Sequence, residues 1–315
     1  MTPLISFIIT YHNEPEAYLR ACLESIWALR FAEGEAEVIV VDDGSEPQLI
    51  IQNPKFKIQS VLDVRLIRQE QAGLSVARNT GIENAKGRYI QFVDADDCLL
   101  SSAYGAVIEQ VRKEEADVVM FRMIASPQPS PEREMSRGNW LSLWPPTCGS
   151  PLLWRGGGRL FLQRRNLRAA AWGYAFRREI LGDLRFHPGL LHEDELFTPQ
   201  LFLKAETLVE LDAKAYFYRQ HEGTITHSQI SEQVQKRLND IHFILNKIQS
   251  FDNPVLERRI HQLTVDYLQK VWTLTHSFSE LRRRSRELRR EHFLPLPVRR
   301  YSPRYLFASL VCRCL

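Results

Sequence analysis

The sequence predicts an α/β fold, a mostly parallel central sheet flanked by helices and followed by a helical C-terminal extension. Three observations carry this. Nearly continuous apolar runs at residues 4–10 (LISFIIT), 37–41 (EVIVV) and 89–93 (YIQFV) have the pattern of short strands covered on both faces. The runs alternate with segments of helical apolar spacing, which joins strands by crossovers and makes them parallel. After residue 231 the strand pattern stops and helical stripes take over, with Leu238, Ile241, Ile244, Leu245 and Ile248, then Leu263, Tyr267, Leu268 and Val271.

Taken in order, residues 4–10 form the first strand, and residues 16–30 put Leu19, Leu23, Ile26 and Trp27 on one helical stripe. The second strand, residues 37–41, runs into Asp42, Asp43, Gly44 and Ser45, which stop it. Residues 62–67 are a third strand and residues 73–85 a helix ending near Gly87. Tyr89, Ile90, Phe92 and Val93 then make a buried strand that meets Asp94, Asp96 and Asp97. Carboxylates this close raise one another's pKa, so the turn is either a solvated acidic strand end or the seat of a divalent cation such as Mg²⁺. Residues 126–160 contain SPQPSP, WPP and Gly156 to Gly158 and are expected to be a long loop, either a lid carrying Trp154, Arg155 and Arg159 or a mobile connection. Residues 169–181 carry Trp172, Tyr174 and Phe176, and residues 208–218 form a further strand.

Chain-wide properties bound the function. With 315 residues, of which 44% are hydrophobic, the chain can bury a substantial core. No run of about 18 uncharged apolar residues spans a bilayer, and the start lacks the basic and small-residue pattern of a signal peptide, so a cytoplasmic location is expected. Five cysteines without zinc-ligand spacing argue against disulfides and a zinc site, and Cys98 is read first as a packed small side chain and second as a reactive thiol. Between residues 281 and 304 nine Arg face two Glu, a local +7 that leaves −4 for the remainder of a chain of formal charge +3. Beside Phe293, Leu294, Leu296, Tyr301, Tyr305, Leu306, Phe307 and Leu310, these arginines read as a peripheral anchor at the inner face of an anionic membrane, or as a disordered or self-packing tail. Motifs that read nucleic-acid bases are missing. A nucleotidyltransferase would need a Gly-rich loop after the first strand, where this chain has Thr10, Tyr11, His12, Asn13 and Glu14.

In open α/β sheets ligands bind at the carboxyl ends of the strands. Thr10, His12, Asp42, Asp43, Asp94 and Asp96 all fall at such ends, and together they suit a nucleotide and a metal-bound phosphate.

The segments ISFIITYHNEPEAYLRACLESI, EVIVVDDGS, QEQAGLSVARNTGIENAKGRYIQFVDADD and LHEDELF, in this order, resemble glycosyltransferase family 2 with its GT-A fold. The resemblance implies an inverting, metal-dependent transferase moving a sugar from a nucleotide donor, UDP-linked by expectation, to a saccharide or lipid-linked acceptor in surface polysaccharide or lipopolysaccharide assembly. It makes Asp94, Ala95 and Asp96 the DXD metal motif, with Mn²⁺ or Mg²⁺ on Asp96 and Asp94, Asp96 being the main metal ligand and Asp94 nearer the donor ribose. It puts Asp42 and Asp43 beside the base, adds Glu14 and Arg78 to the donor site with Thr10 and His12, and gives Arg219 or His221 to the diphosphate. It makes Asp194 the general base. The structural readings beside it are a helix-capping cluster for His192 and Glu195 and a surface charge for Glu193. It also divides the chain into a transferase domain at residues 1–228 and a helical extension with a basic tail at residues 229–315. The first comprises a nucleotide-binding half, 1–100, and an acceptor-side half, 101–228. A non-catalytic nucleotide-sugar-binding or membrane-surface scaffold with the same fold is the alternative.

Overall fold

A computed structural model describes residues 2–50, 62–126, 151–220 and 231–312. Its first half is a parallel run. Strands β1 (Ile5–Tyr11), β2 (Ala36–Asp43), β3 (Asp63–Gln69) and β4 (Tyr89–Asp94) lie in the order β3-β2-β1-β4, with helices α1 (Glu16–Trp27) and α2 (Leu74–Asn84) between them in sequence. The continuous apolar runs have their physical reason in the two cores. Successive side chains of a strand point to opposite faces, and here Ile8, Ile39, Val41 and Phe92 enter one buried cluster while Phe7, Ile9, Val38 and Val40 enter the other.

The sheet continues as β8-β6-β9-β5 and becomes mixed. After β5 (Cys98–Leu99) come α3 (Ser101–Lys113), β6 (Val118–Ala125), β7 (Leu152–Arg155), α4 (Gly157–Arg164), β8 (Tyr174–Arg177), α5 (Asp194–Lys204) and β9 (Thr207–Tyr218). β8 is antiparallel to both β4 and β6, while β9 pairs in parallel with β6 and antiparallel with β5 and β7.

Two expectations are corrected here. The segment read as a loop to residue 160 contains β7 and the start of α4; residues 127–150 lie outside the described residues. Its glycines serve close packing. A Cβ on Gly158 would lie 2.2 Å from the Phe202 carbonyl oxygen, and one on Gly157, at φ +57°, 2.2 Å from that of Ala205, so α4 sits directly on the end of α5. Trp154 is fixed on the sheet edge, its ring 5.5 Å from that of Phe161 and its indole N–H donating to Glu210 at 3.2 Å. That is a strand position and not a lid.

The second correction concerns the tail. Helices α6 (Ser231–Gln249), α7 (Glu257–Thr275), α8 (Phe278–Arg290) and α9 (Pro303–Val311) cover one sheet face and share its hydrophobic cluster. Phe293, Leu294, Leu296 and Tyr305 are buried in that cluster, so half of the apolar side chains read as an anchor are core, as the self-packing alternative had it. Several of the arginines are engaged as well. Arg283 pairs with Glu280 and Glu287, buried Arg284 bonds Glu280, Gln235 and Asn239, and Arg304 bonds Asp266 at 2.7 Å. Phe307 and Leu310 keep 71% and 52% of their surface exposed. No helix among the described residues is long and apolar enough to cross a membrane.

Candidate active site

Strand register assembles the polar strand ends along one edge. Thr10 pairs with Asp94 across β1 and β4, and Tyr11 with Asp42 across β1 and β2. Asp42 is fully buried and closes the turn after β2 by accepting the Ser45 N–H at 2.9 Å, with Arg68 3.8 Å away. Asp43 accepts from Gln69 at 2.7 Å and from the Ala72 and Gly73 N–H groups at 2.8 Å, so it holds the loop that leads into α2. Gly44, at φ +73°, admits that loop, because a Cβ there would stand 2.7 Å from the Gln71 nitrogen. The His12 ring bonds the Asp43 carbonyl through Nδ1 at 2.8 Å, which leaves Nε2 to accept from Gln71 and Asn13. Glu14 accepts the His12 N–H at 2.5 Å, and burial, then the charges of Asp96 and Asp94, push its carboxyl up to about 7.

The acidic turn divides its carboxylates by role. Asp97 is wholly buried, accepting from the Tyr216 hydroxyl and the Arg219 N–H, each at 2.7 Å, and so locks the end of β9 to the end of β4. Burial pushes its carboxyl well up. Asp94 and Asp96 stay partly exposed. Burial and the nearby charge of Asp96 raise Asp94 although Arg78 opposes them. Arg219 is buried, with its guanidinium 4.1 Å from the Tyr18 ring and its Nε donating to the Asp96 carbonyl at 2.6 Å. It braces the acidic turn from behind; His221 lies outside the described residues.

Arg78 joins this edge to α5. Its side chain is 4% exposed, its charge lies over the rings of Phe92 and Phe186, and it pairs with Asp94 at 3.0 Å and with Glu193. Glu193 is therefore no surface charge: it is a buried carboxylate whose partner is 115 residues earlier in the chain. Burial raises it to about 7 even with Arg78 beside it. The next residue, Asp194, is the first of α5 and is half-buried, and its charge acts on both Arg78 and Asp94. No side chain caps this helix start, and Glu195 pairs instead with Arg259 of α7, which corrects the capping-cluster reading. Nearby, the Trp172 ring stacks on Tyr216 at 4.4 Å and carries the exposed Arg168 on its other contacts, at 5.2 Å.

The structure thus gathers Thr10, His12, Glu14, Asp94 and Asp96 at one edge and ties Asp194 to it through Arg78 and Glu193. The bracing roles of Asp97 and Arg219 and the depth of Glu193 depend on pairs more than 90 residues apart, and only the Glu-Asp adjacency at residues 193–194 hinted at any of them.

The profile described as glycosyl transferase family 2 matches residues 6–185. The uncharacterized glycosyltransferase EpsJ of Bacillus subtilis is 28% identical over 72% of this chain, and the match spans 64% of EpsJ, so the chain corresponds to less than two thirds of that relative. Two solved structures share the fold. Staphylococcus aureus TarS (residues 1–349) in complex with UDP-GlcNAc has a TM-score of 0.64 at 19% identity, covering 98% of this chain and 91% of that one. The mannosyltransferase PcManGT of Pyrobaculum calidifontis, in complex with GDP-Man and Mn²⁺, has 0.54 at 15% identity, covering 99% and 87%.

Proposed function

The chain belongs to glycosyl transferase family 2, and on that premise we propose that it moves a glycosyl group from a UDP-sugar to a saccharide acceptor with inversion, in surface polysaccharide or lipopolysaccharide assembly. The observation that carries this reading is the Arg78 bridge, which fixes the acid-rich strand ends and the start of α5 relative to one another. Donor phosphates belong at the first of these, and a base belongs at the second. The UDP-GlcNAc bound to TarS supports the choice of donor nucleotide.

A sugar hydroxyl is a weak nucleophile, so Asp194 accepts its proton as the oxygen attacks the anomeric carbon. The bond from that carbon to the diphosphate oxygen breaks, and UDP leaves from the opposite side. One displacement gives inversion. Thr10, His12 and the loop held by Asp43 bound the nucleotide.

Among the described residues no three His, Cys, Asp or Glu side chains gather as a closed metal cage. Two carboxylates fit a hard divalent ion that takes its other oxygens from phosphate and water. Asp94 and Asp96, two carboxylates close enough to repel one another, meet this requirement. Mn²⁺ or Mg²⁺ held by them would neutralise charge on the departing diphosphate.

Calorimetric titration of UDP and GDP, each with and without Mn²⁺, tests the donor site. UDP is expected to bind only with metal, and Asp96→Ala is expected to abolish it. For the base, Asp194→Asn is expected to lower turnover by about 10²–10⁴-fold with UDP affinity retained. A fully active Asn variant would remove Asp194 from the mechanism.

A further inference from the structure

Where the start of α5 meets α7 and α9, a cleft of about 250 Å³ is lined by His192, Glu195, Asp266, Gln269, Lys270 and Arg304; Asp194 is not in the lining itself but lies in the chain between two residues that are. Ile241 and Leu263 supply its apolar wall. This is just below the roughly 300 Å³ at which sites for drug-sized ligands begin, so the space is limited to a ligand of about one sugar unit. Donor residues at the strand ends do not reach it, whereas His192 and Glu195 flank the base itself.

The charges in its wall are unequal. Glu195 pairs with Arg259, and Asp266 gives its carboxylate to Arg304. The Lys270 ammonium donates to a neutral group, His192 Nε2, at 3.1 Å and has no carboxylate within ion-pair distance among the described residues; burial and Arg237 disfavour its charge, and the more distant Asp266 and Asp194 only partly offset them. His192 is held neutral because burial and the Lys270 charge push it down to about 4. It stands at φ +63°, in the left-handed region that a non-glycine residue enters only at a cost. That turn brings its ring to Lys270 and, two residues on, starts α5 at Asp194. A half-buried cation facing a polar cleft is stabilised by an anionic ligand.

Resting on the transferase reading above, we propose that this cleft seats the acceptor, a saccharide carrying an anionic group, phosphate or carboxylate, that pairs with Lys270 while a neighbouring hydroxyl faces Asp194. The helical extension then supplies acceptor choice, and the sheet supplies the donor.

The test titrates the full chain, without UDP, against glucose 6-phosphate, glucuronate, glucose and inorganic phosphate. At least one of the two anionic sugars is expected to bind about tenfold or more tighter than glucose, and which one does so identifies the anion. Lys270→Ala should erase that preference and Lys270→Arg should keep it, with UDP affinity, measured separately, unchanged in both. Equal binding of glucose and the anionic sugars would overturn the proposal. So would a preference that survives Lys270→Ala, or inorganic phosphate binding as tightly as the sugar phosphate. Because UDP is absent from these titrations, failure of the donor site shows only in the UDP measurement and failure of the acceptor assignment only here.

Discussion

The strand-end edge of β1, β2 and β4 and the helical layer of α6 to α9 hold charge in opposite ways. At the edge, Glu14, Asp94 and Asp96 crowd together, and burial and mutual repulsion raise Glu14 and Asp94. In the helical layer, arginines meet carboxylates. Hydrogen bonds from Arg283 and Arg284 hold the Glu280 carboxyl down to about 2. Paired charges such as Arg283 with Glu280 have a structural account already, whereas like charges crowded together call for a ligand of the opposite sign even though Arg78 pairs with one of them, Asp94. The cationic tail looked functional in sequence because its partners, among them Gln235, Asn239 and Asp266, lie on other helices.

Arginine substitutions in the two regions break this comparison most sharply. Arg78→Met keeps the length of the side chain but leaves Asp94 and Glu193 without their cation, and breaking a buried pair in this way costs about 3–5 kcal/mol. Arg283→Met removes half-exposed pairs with Glu280 and Glu287 and should cost about 0–1 kcal/mol. Urea unfolding at pH 7 measures both. Equal losses would mean that the Arg78 bridge is no more than a surface pair.

The edge was legible because parallel strands deliver their terminal residues to one side, so Thr10, Asp42, Asp43 and Asp94 could be grouped from strand ends alone. The fold of the first hundred residues was legible for the same reason: unbroken apolar runs require cover on both faces. By contrast, β7 and α4 were hidden by composition. Gly157 and Gly158 signal flexibility locally, but here they answer to the backbone of Phe202 and Ala205, some 44–48 residues on. Glu193 was hidden by distance, since nothing beside it announces Arg78. In the tail, basic and aromatic residues are compatible with a bilayer or with a protein core, and only packing decides between them.

Core and surface positions of that tail provide the next test. Leu296 is fully buried, and Leu296→Ala should cost about 2–5 kcal/mol through lost burial and the cavity left behind. Phe307, 71% exposed on α9, should tolerate Ala within about 0.5 kcal/mol. Thermal unfolding of the two variants separates a folded helical layer from a loosely attached tail, in which both changes would be nearly silent.

The smallest effect expected is a pH dependence at the edge itself. Glu14 is raised from an ordinary value of 4.5 to about 7, first by burial and then by Asp96 and Asp94, although N–H hydrogen bonds oppose the shift. A carboxyl raised on folding contributes stability that is fully present below pH 4.5 and is lost as pH rises through about 7. Glu14→Gln has no proton to lose, so between pH 5 and 8 its melting temperature should fall less than that of the wild type. At pH 8 the variant should be the more stable of the two. A parallel decline in both proteins would place the titrating group elsewhere and leave Glu14 as an ordinary ionised carboxylate, in which case the like-charge character of the edge would rest on Asp94 and Asp96 alone.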